Sequence, residues 1–179
     1  MKKSLREKLK NIKILIMDVD GVMTDGRIIM DDTGREIKNF NVRDGHGIKL
    51  IQRYGIEVAL LTGRKSEVVK HRAHDLEIKE VYQKIYNKKE VFIEILQKNK
   101  LTSSEAAFIG DDIVDIPVLK EAGFSAAVAD ALDIVKKTVD YVTKNKGGCG
   151  AVREVCEMLL QAQGRWSEIA AKYEFTEHL

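Results

Sequence analysis

The sequence predicts an α/β fold: a Rossmann-like parallel sheet with helices on both faces, plus an inserted β-hairpin and no large cap domain. Three observations predict it. Short apolar runs at 12–17, 57–61, 80–82, 106–109, 125–128 and 139–142 alternate with amphipathic stretches at 46–54, 65–76, 88–98, 116–122, 131–136 and 151–163. The runs are continuous rather than alternating, as in strands covered on both faces by crossover helices. One stretch, 27–42, breaks the rhythm and is too short to build a core of its own. With 179 residues, the chain is expected to form a single domain over 1–179.

The elements follow in order. Residues 1–11 are basic and polar, and the apolar run after them meets Asp18 after only six residues. A secretory signal needs a longer apolar stretch and a small-residue cleavage site, and no run approaches the roughly 18 apolar residues of a membrane span. A cytoplasmic chain without a membrane partner is expected. Residues 27–30 and 36–42 flank Asp31, Asp32, Thr33 and Gly34, the pattern of a hairpin with a glycine-containing turn. This hairpin exposes Ile28, Ile29, Ile37 and Phe40, and two-stranded hairpins are marginal alone. Hairpins from several copies are therefore expected to share a core, giving a homotetramer. Gly55 and Gly123 stand where helix C-caps belong. Asn87, followed by Glu90, caps the helix that opens at Lys88. The tail, 165–179, carries Trp166, Tyr173 and Phe175, and reads either as a helix packed on its own chain or as a lid reaching a neighbouring site.

Composition excludes several classes. Apolar residues at 44% and charged residues at 32% fit an ordinary globular domain. A net charge of +2, with no Lys/Arg run, gives no nucleic-acid surface. Cys149 and Cys156 have no histidine pairing that suits zinc, and a reduced compartment is the simpler expectation.

In open α/β sheets ligands bind at the carboxyl ends of the strands. The first apolar run ends in Asp18, Val19, Asp20 and Gly21. The second ends in Thr62, Gly63 and Arg64. Asn87 and Lys88 follow the third. The fourth ends in Gly110, Asp111 and Asp112, with Asp115 close behind. Carboxylates gathered at one edge repel unless a cation sits among them, and hard oxygen ligands favour Mg²⁺. The set points to phosphoryl transfer. Asp18 is the expected nucleophile, forming an aspartyl-phosphate. Thr62 and Lys88 would bind phosphate oxygens, with backbone N–H groups near Gly21 and Gly63 adding to them. Asp20 lies on the same side of an extended strand as Asp18. It would protonate the leaving oxygen and then activate water. Asp112 and Asp115 are read as a second layer that orients waters or caps a helix. Arg64 and Arg72, eight apart, are expected to share a face of one helix. They are either solvated or a fork for the carboxylate of a sugar acid. His46, His71, His74 and His178 carry no assigned role.

The chain resembles the haloacid dehalogenase-like phosphatases. Asp18, Asp20, Gly21, Val22 and Thr24; Thr62, Gly63 and Arg64; Lys88; and Gly110, Asp111 and Asp112 match the four motifs of that family in order. Phe40 to Gly45 and the glycine-rich 147–154 block are similar to the subfamily of 3-deoxy-D-manno-octulosonate 8-phosphate phosphatases, over residues 12–164. The resemblance implies Mg²⁺ held by the Asp18 carboxylate, the Asp20 main-chain carbonyl and Asp111. It also implies a small phosphorylated sugar acid as substrate, a role in making a lipopolysaccharide precursor, and a tetramer in which a neighbouring subunit helps close each site. The residues before Asn87, namely Lys84, Ile85 and Tyr86, depart from the small or polar ones commoner there.

Other functions fit parts of the pattern. Another acidic sugar phosphate, such as a sialic acid 9-phosphate, is an alternative substrate. A phospho-accepting signalling module also has an acidic pocket, Mg²⁺, a Thr and a Lys, but its acidic pair and lone acceptor stand in a different order. A catalytically silent scaffold of this fold would not need the complete set of residues.

Overall fold

The computed structural model describes residues 3–176. Helix α1 (Lys3–Lys10) opens the chain where the sequence shows only a polar lead-in. Leu5 and Leu9, one turn apart, face the core, and Lys8 reaches Asp140 at 2.5 Å. Strand β1 (Ile14–Met17) is buried along its whole length. Then come β2 (Ile29–Met30), β3 (Glu36–Ile37), α2 (Val42–Arg53), β4 (Glu57–Leu61), α3 (Glu67–Asp75) and β5 (Glu80–Tyr82). The second half runs α4 (Lys88–Asn99), β6 (Ala106–Gly110), α5 (Ile116–Leu119), β7 (Phe124–Ala127), α6 (Asp133–Lys136), β8 (Tyr141–Val142), α7 (Ala151–Ala162) and α8 (Trp166–Lys172).

All strands but β2 and β3 form one six-stranded parallel sheet in the order β5-β4-β1-β6-β7-β8. The chain moves outward from β1 to β4 and β5, then returns to β6 on the other side of β1. Right-handed crossovers therefore place α2 and α3 on one face and α4, α5 and α6 on the other. α7 packs along α2, and α1 and α8 pack on α7. Strands β1 and β6 sit at the point where the winding reverses, the place where such sheets open a crevice. Their side chains are buried on both faces, worth on the order of 2 kcal/mol for each large aliphatic group.

Several boundaries move for local reasons. Helix α2 starts at Val42 rather than 46, because the Asn41 side chain accepts the N–H groups of Arg43 and Asp44. Gly45 and Gly47 weaken the helical pattern in the sequence, but the tertiary structure requires small residues there. A Cβ on Gly47 would sit 3.0 Å from Arg153 Cδ on α7. Gly55 has φ +82 and ends α2 as expected. Gly123 does not adopt a positive φ. It is small because Ser103 and Ser104 backbone atoms lie within 2.7 Å of where its Cβ would be.

The hairpin forms with its turn organised by Asp31, whose side chain accepts the N–H groups of Thr33 and Arg35. Ile28, Met30 and Ile37 are 60%, 61% and 48% exposed, an apolar surface that none of the described residues covers. Phe40 is not part of that surface. It packs against the core beneath the guanidinium of Arg72. The described part of the tail is a docked helix: Ile169 and Ala170 are buried, Phe175 meets Trp166 edge-on, and Arg165 lies over Tyr54. Tyr54 follows the C-terminal end of α2, at the sheet edge opposite the carboxyl ends of the strands. Further along, Tyr173 lies edge-on against His46 in the first half of α2, and none of the described tail residues lines the cleft at the strand ends; 177–179, with His178, lie outside the described residues.

Candidate active site

The carboxyl ends of the central strands surround a cleft of about 250 Å³ containing Asp18, Asp20, Thr62, Gly63, Arg64, Lys88, Asp111 and Asp112, with Ile85, Tyr86 and Val114 as its apolar wall. A larger surface cleft of about 730 Å³ runs between residues 40–43 and α7. Its acids are already satisfied: Glu157 pairs with Arg153, and Glu154 accepts from Tyr141 and the Lys144 and Asn145 backbone. The donor set, not the volume, singles out the smaller one.

Asp18 continues β1, its N–H donating to the Ile109 carbonyl on β6. Lys88, capped into place by Asn87 at the start of α4, brings its buried ammonium 3.0 Å from Asp18 Oδ2 and 2.6 Å from Asp115 Oδ1. Burial alone would push the Lys88 ammonium down, but Asp18 and Asp115 outweigh it and hold it above its ordinary value. Asp115 is fully buried and organises the floor. Its other oxygen accepts the N–H groups of Asp111 at 3.0 Å and Asp112 at 3.4 Å. Asp112 caps the turn Ile113–Asp115 through its own side chain. Thr62 is buried and accepts the Arg64 N–H at 3.3 Å, which leaves its O–H to donate into the cleft.

Carboxylate oxygens of Asp18, Asp111 and Asp115 lie within 4.8 Å of one another. Asp115 has both oxygens engaged. Asp18 Oδ1 and Asp111 Oδ1, in contrast, are buried without any hydrogen-bond partner. Burial, with Asp115 adding repulsion, pushes the Asp18 carboxyl up to about 6 against the pull of Lys88. Burial, with Asp18 and Asp115 beside it, pushes Asp111 up to about 7. Two orphaned, mutually repelling oxygens are the requirement a hard divalent cation meets. The residues present fit such an ion.

Glycines let the loops close around this point. Gly21 has φ +88, and a Cβ on it would lie 2.1 Å from Asp111 Oδ2. The Gly147–Gly148 loop backs the nucleophile loop so closely that a Cβ on Gly147 would lie 1.8 Å from the Gly21 carbonyl oxygen. The N–H of Gly21 itself is taken within the loop. It donates to Thr24 Oγ1 at 3.3 Å.

The two arginines do not share a helix. Ser66 is the N-cap of α3, so Arg64 lies in the preceding turn and lines the cleft, bonded to Glu36 at 2.8 Å. Arg72 is within α3, stacks on Phe40 and donates to the Asn41 carbonyl at 3.4 Å. It buttresses the start of α2 and does not line the cleft. Sequence reasoning missed Lys38, whose buried ammonium pairs with Asp20 and, at 3.2 Å, with Glu36. The period of two along an extended run puts Lys38 on the face of Glu36, but it does not place the pair beside Asp20.

The haloacid dehalogenase-like hydrolase family profile matches residues 77–155, the stretch that contains Lys88, Asp111 and Asp115. The chain is 48% identical over 161 residues to the 3-deoxy-D-manno-octulosonate 8-phosphate phosphatase KdsC of Escherichia coli K12, spanning 90% of this chain and 86% of that protein. This chain belongs to that phosphatase family. Solved structures of the family superpose closely. The Yersinia pestis phosphatase gives a TM-score of 0.92 at 42% identity, covering 93% of this chain and 90% of that one. The Moraxella catarrhalis phosphatase, in complex with a magnesium ion, a phosphate ion and a KDO molecule, gives 0.94 at 38% identity, covering 97% and 99%. Among the described residues no helix is long and apolar enough to cross a membrane.

Proposed function

We propose that this chain is a Mg²⁺-dependent phosphatase that hydrolyses 3-deoxy-D-manno-octulosonate 8-phosphate to the free sugar acid and phosphate, supplying a lipopolysaccharide precursor. The observation that carries the chemistry is the pair of orphaned oxygens on Asp18 and Asp111 beside the Lys88 ammonium. The family carries the substrate.

Asp18 attacks phosphorus and forms the aspartyl-phosphate. Lys88 draws in the phosphate and steadies Asp18, and the Thr62 hydroxyl and the backbone at Gly63 receive the remaining oxygens. Asp20 gives a proton to the departing sugar oxygen, then takes one from the water that releases phosphate. Mg²⁺, bound by the Asp18 carboxylate, the Asp20 main-chain carbonyl and Asp111, supplies the positive charge that lets a phosphate dianion meet a carboxylate. Arg64, on the cleft wall, is the proposed partner for the sugar-acid carboxylate. The apolar hairpin surface supports a homotetramer, and the cytoplasm is the proposed compartment.

The test is phosphate release from a panel holding this octulosonate ester, another acidic sugar phosphate and a neutral sugar phosphate, with Mg²⁺ and after chelation. Turnover should favour the octulosonate ester, vanish on chelation, and vanish in Asp18→Asn while the fold persists. Preference for another ester would overturn the substrate. Activity in Asp18→Asn would overturn the nucleophile.

A further inference from the structure

Lys38 is the one lysine besides Lys88 whose side chain is almost wholly buried among the described residues, at 1% exposure. It follows β3 and points inward, whereas the hairpin's Arg27 is 78% exposed. Burying an ammonium costs several kcal/mol unless it is well paired. A residue that only closed a hairpin would leave that charge in water. Here the ammonium is delivered to Asp20 Oδ1, with Glu36 Oε1 at 3.2 Å on its other side. Glu36 is held in turn by Arg64 Nη2 at 2.8 Å and by the Ser66 hydroxyl at 2.5 Å. Burial pushes the Glu36 carboxyl up, but the Ser66 and Lys38 contacts outweigh it and keep it low, so Glu36 remains an anion able to share the Lys38 charge.

We propose that Lys38 is a positioning residue for proton transfer: it anchors Asp20 by Oδ1 so that Oδ2 meets the leaving ester oxygen. The proposal rests on the reading of Asp20 as acid and base. As the bond from Asp18 to phosphorus forms and the ester P–O bond breaks, the proton on Asp20 Oδ2 passes to the departing oxygen, which leaves as an alcohol. Water then attacks the phosphoryl group on Asp18, gives its proton to Asp20 Oδ2, and phosphate leaves. A carboxylate free to rotate would spend most of its time misaligned for both steps. Glu36, tied to Arg64 and Ser66, fixes the anchor itself, so the hairpin, the first loop and the turn after β4 form one ion-paired unit.

The experiment compares kcat/KM for phenyl phosphate and p-nitrophenyl phosphate at saturating Mg²⁺. The two esters are alike in shape and carry no carboxylate, but only phenolate needs a proton to leave well. Both are measured in one preparation, so any unfolded fraction cancels in their ratio. Lys38→Met should lower kcat/KM for phenyl phosphate about tenfold more than for the nitrophenyl ester, a share of the 10²–10⁴-fold that proton transfer contributes. Asp20→Asn should show the same selective loss, and Lys38→Arg should restore most of it. Equal losses on both esters in Lys38→Met, with Asp20→Asn still selective, would overturn the role of Lys38 alone. Equal losses in Asp20→Asn would overturn the acid role of Asp20, and the inference with it.

Discussion

Withdrawing Mg²⁺ should make the stability of this protein fall steeply with pH. In the metal-free cleft, burial and the neighbouring carboxylates Asp18 and Asp115 push Asp111 from 3.8 up to about 7, and Asp18 is pushed up to about 6. A raised carboxyl pKa means that the fold favours the protonated form. The corresponding stability is fully present below about pH 4 and is lost progressively as pH rises from about 4 to about 7. At 1.36 kcal/mol per pH unit, charging Asp111 costs the bare fold about 4 kcal/mol by pH 8. Asp18 shares the same repulsion, so its cost is not a second independent sum. Mg²⁺ binds the deprotonated ligands and removes the penalty. The increase in Tm produced by saturating Mg²⁺ should therefore be larger near pH 8 than near pH 5. About 2.7 kcal/mol of that loss falls between pH 5 and pH 7, so at roughly 2–4 °C per kcal/mol for a chain of this size the difference is about 5–11 °C. Thermal unfolding followed by circular dichroism, with chelator or with Mg²⁺ at each pH, measures it. In Asp111→Asn most of the pH dependence of the metal-free protein should disappear. An Mg²⁺ increment that is the same at both pH values, or larger at the acidic one, would refute the reasoning.

Two further outcomes are expected. Gly147→Ala places a methyl group 1.8 Å from the Gly21 carbonyl, a clash between backbones that no rotamer relieves. It should cost about 3 kcal/mol and displace the nucleophile loop, whereas Gly34→Ala, at φ +79 with open space around it, should cost only about 1 kcal/mol. Equal Tm values for the two variants would contradict this. Replacing Ile28, Met30 and Ile37 together by serine should convert a tetramer to monomers by light scattering while the domain stays folded. A wild-type monomer at micromolar concentration, or a variant still tetrameric, would remove the hairpin from assembly.

The candidate site was legible in the sequence where its geometry is set locally. Asp18 needs only to follow β1 directly, and Lys88 needs only the Asn87 cap to be held at a helix start; Asp20 lies in the turn after the strand, not on an extended strand end as expected. Asp115, in contrast, was read as an orienting or capping group. Its role as the buried counter-ion of Lys88 and the acceptor for two backbone N–H groups depends on α4 and β6 meeting across the sheet.

Six apolar runs without alternation, separated by amphipathic stretches, were enough to determine a doubly covered parallel sheet, because strand burial and helix periodicity are properties of short segments. The order of acidic, hydroxyl and basic residues after those runs determined the chemistry, since in such a sheet the carboxyl ends converge on one edge. Tertiary structure alone decided the rest. Arg72 became a prop under the Phe40–Asn41 segment because Ser66 ends the turn that holds Arg64 outside α3. The described part of the tail became a docked helix because Ile169 and Ala170 are buried where α8 packs on α7. Lys38 reached Asp20 because the hairpin folds back over the first loop, a contact across 18 positions that no local periodicity records.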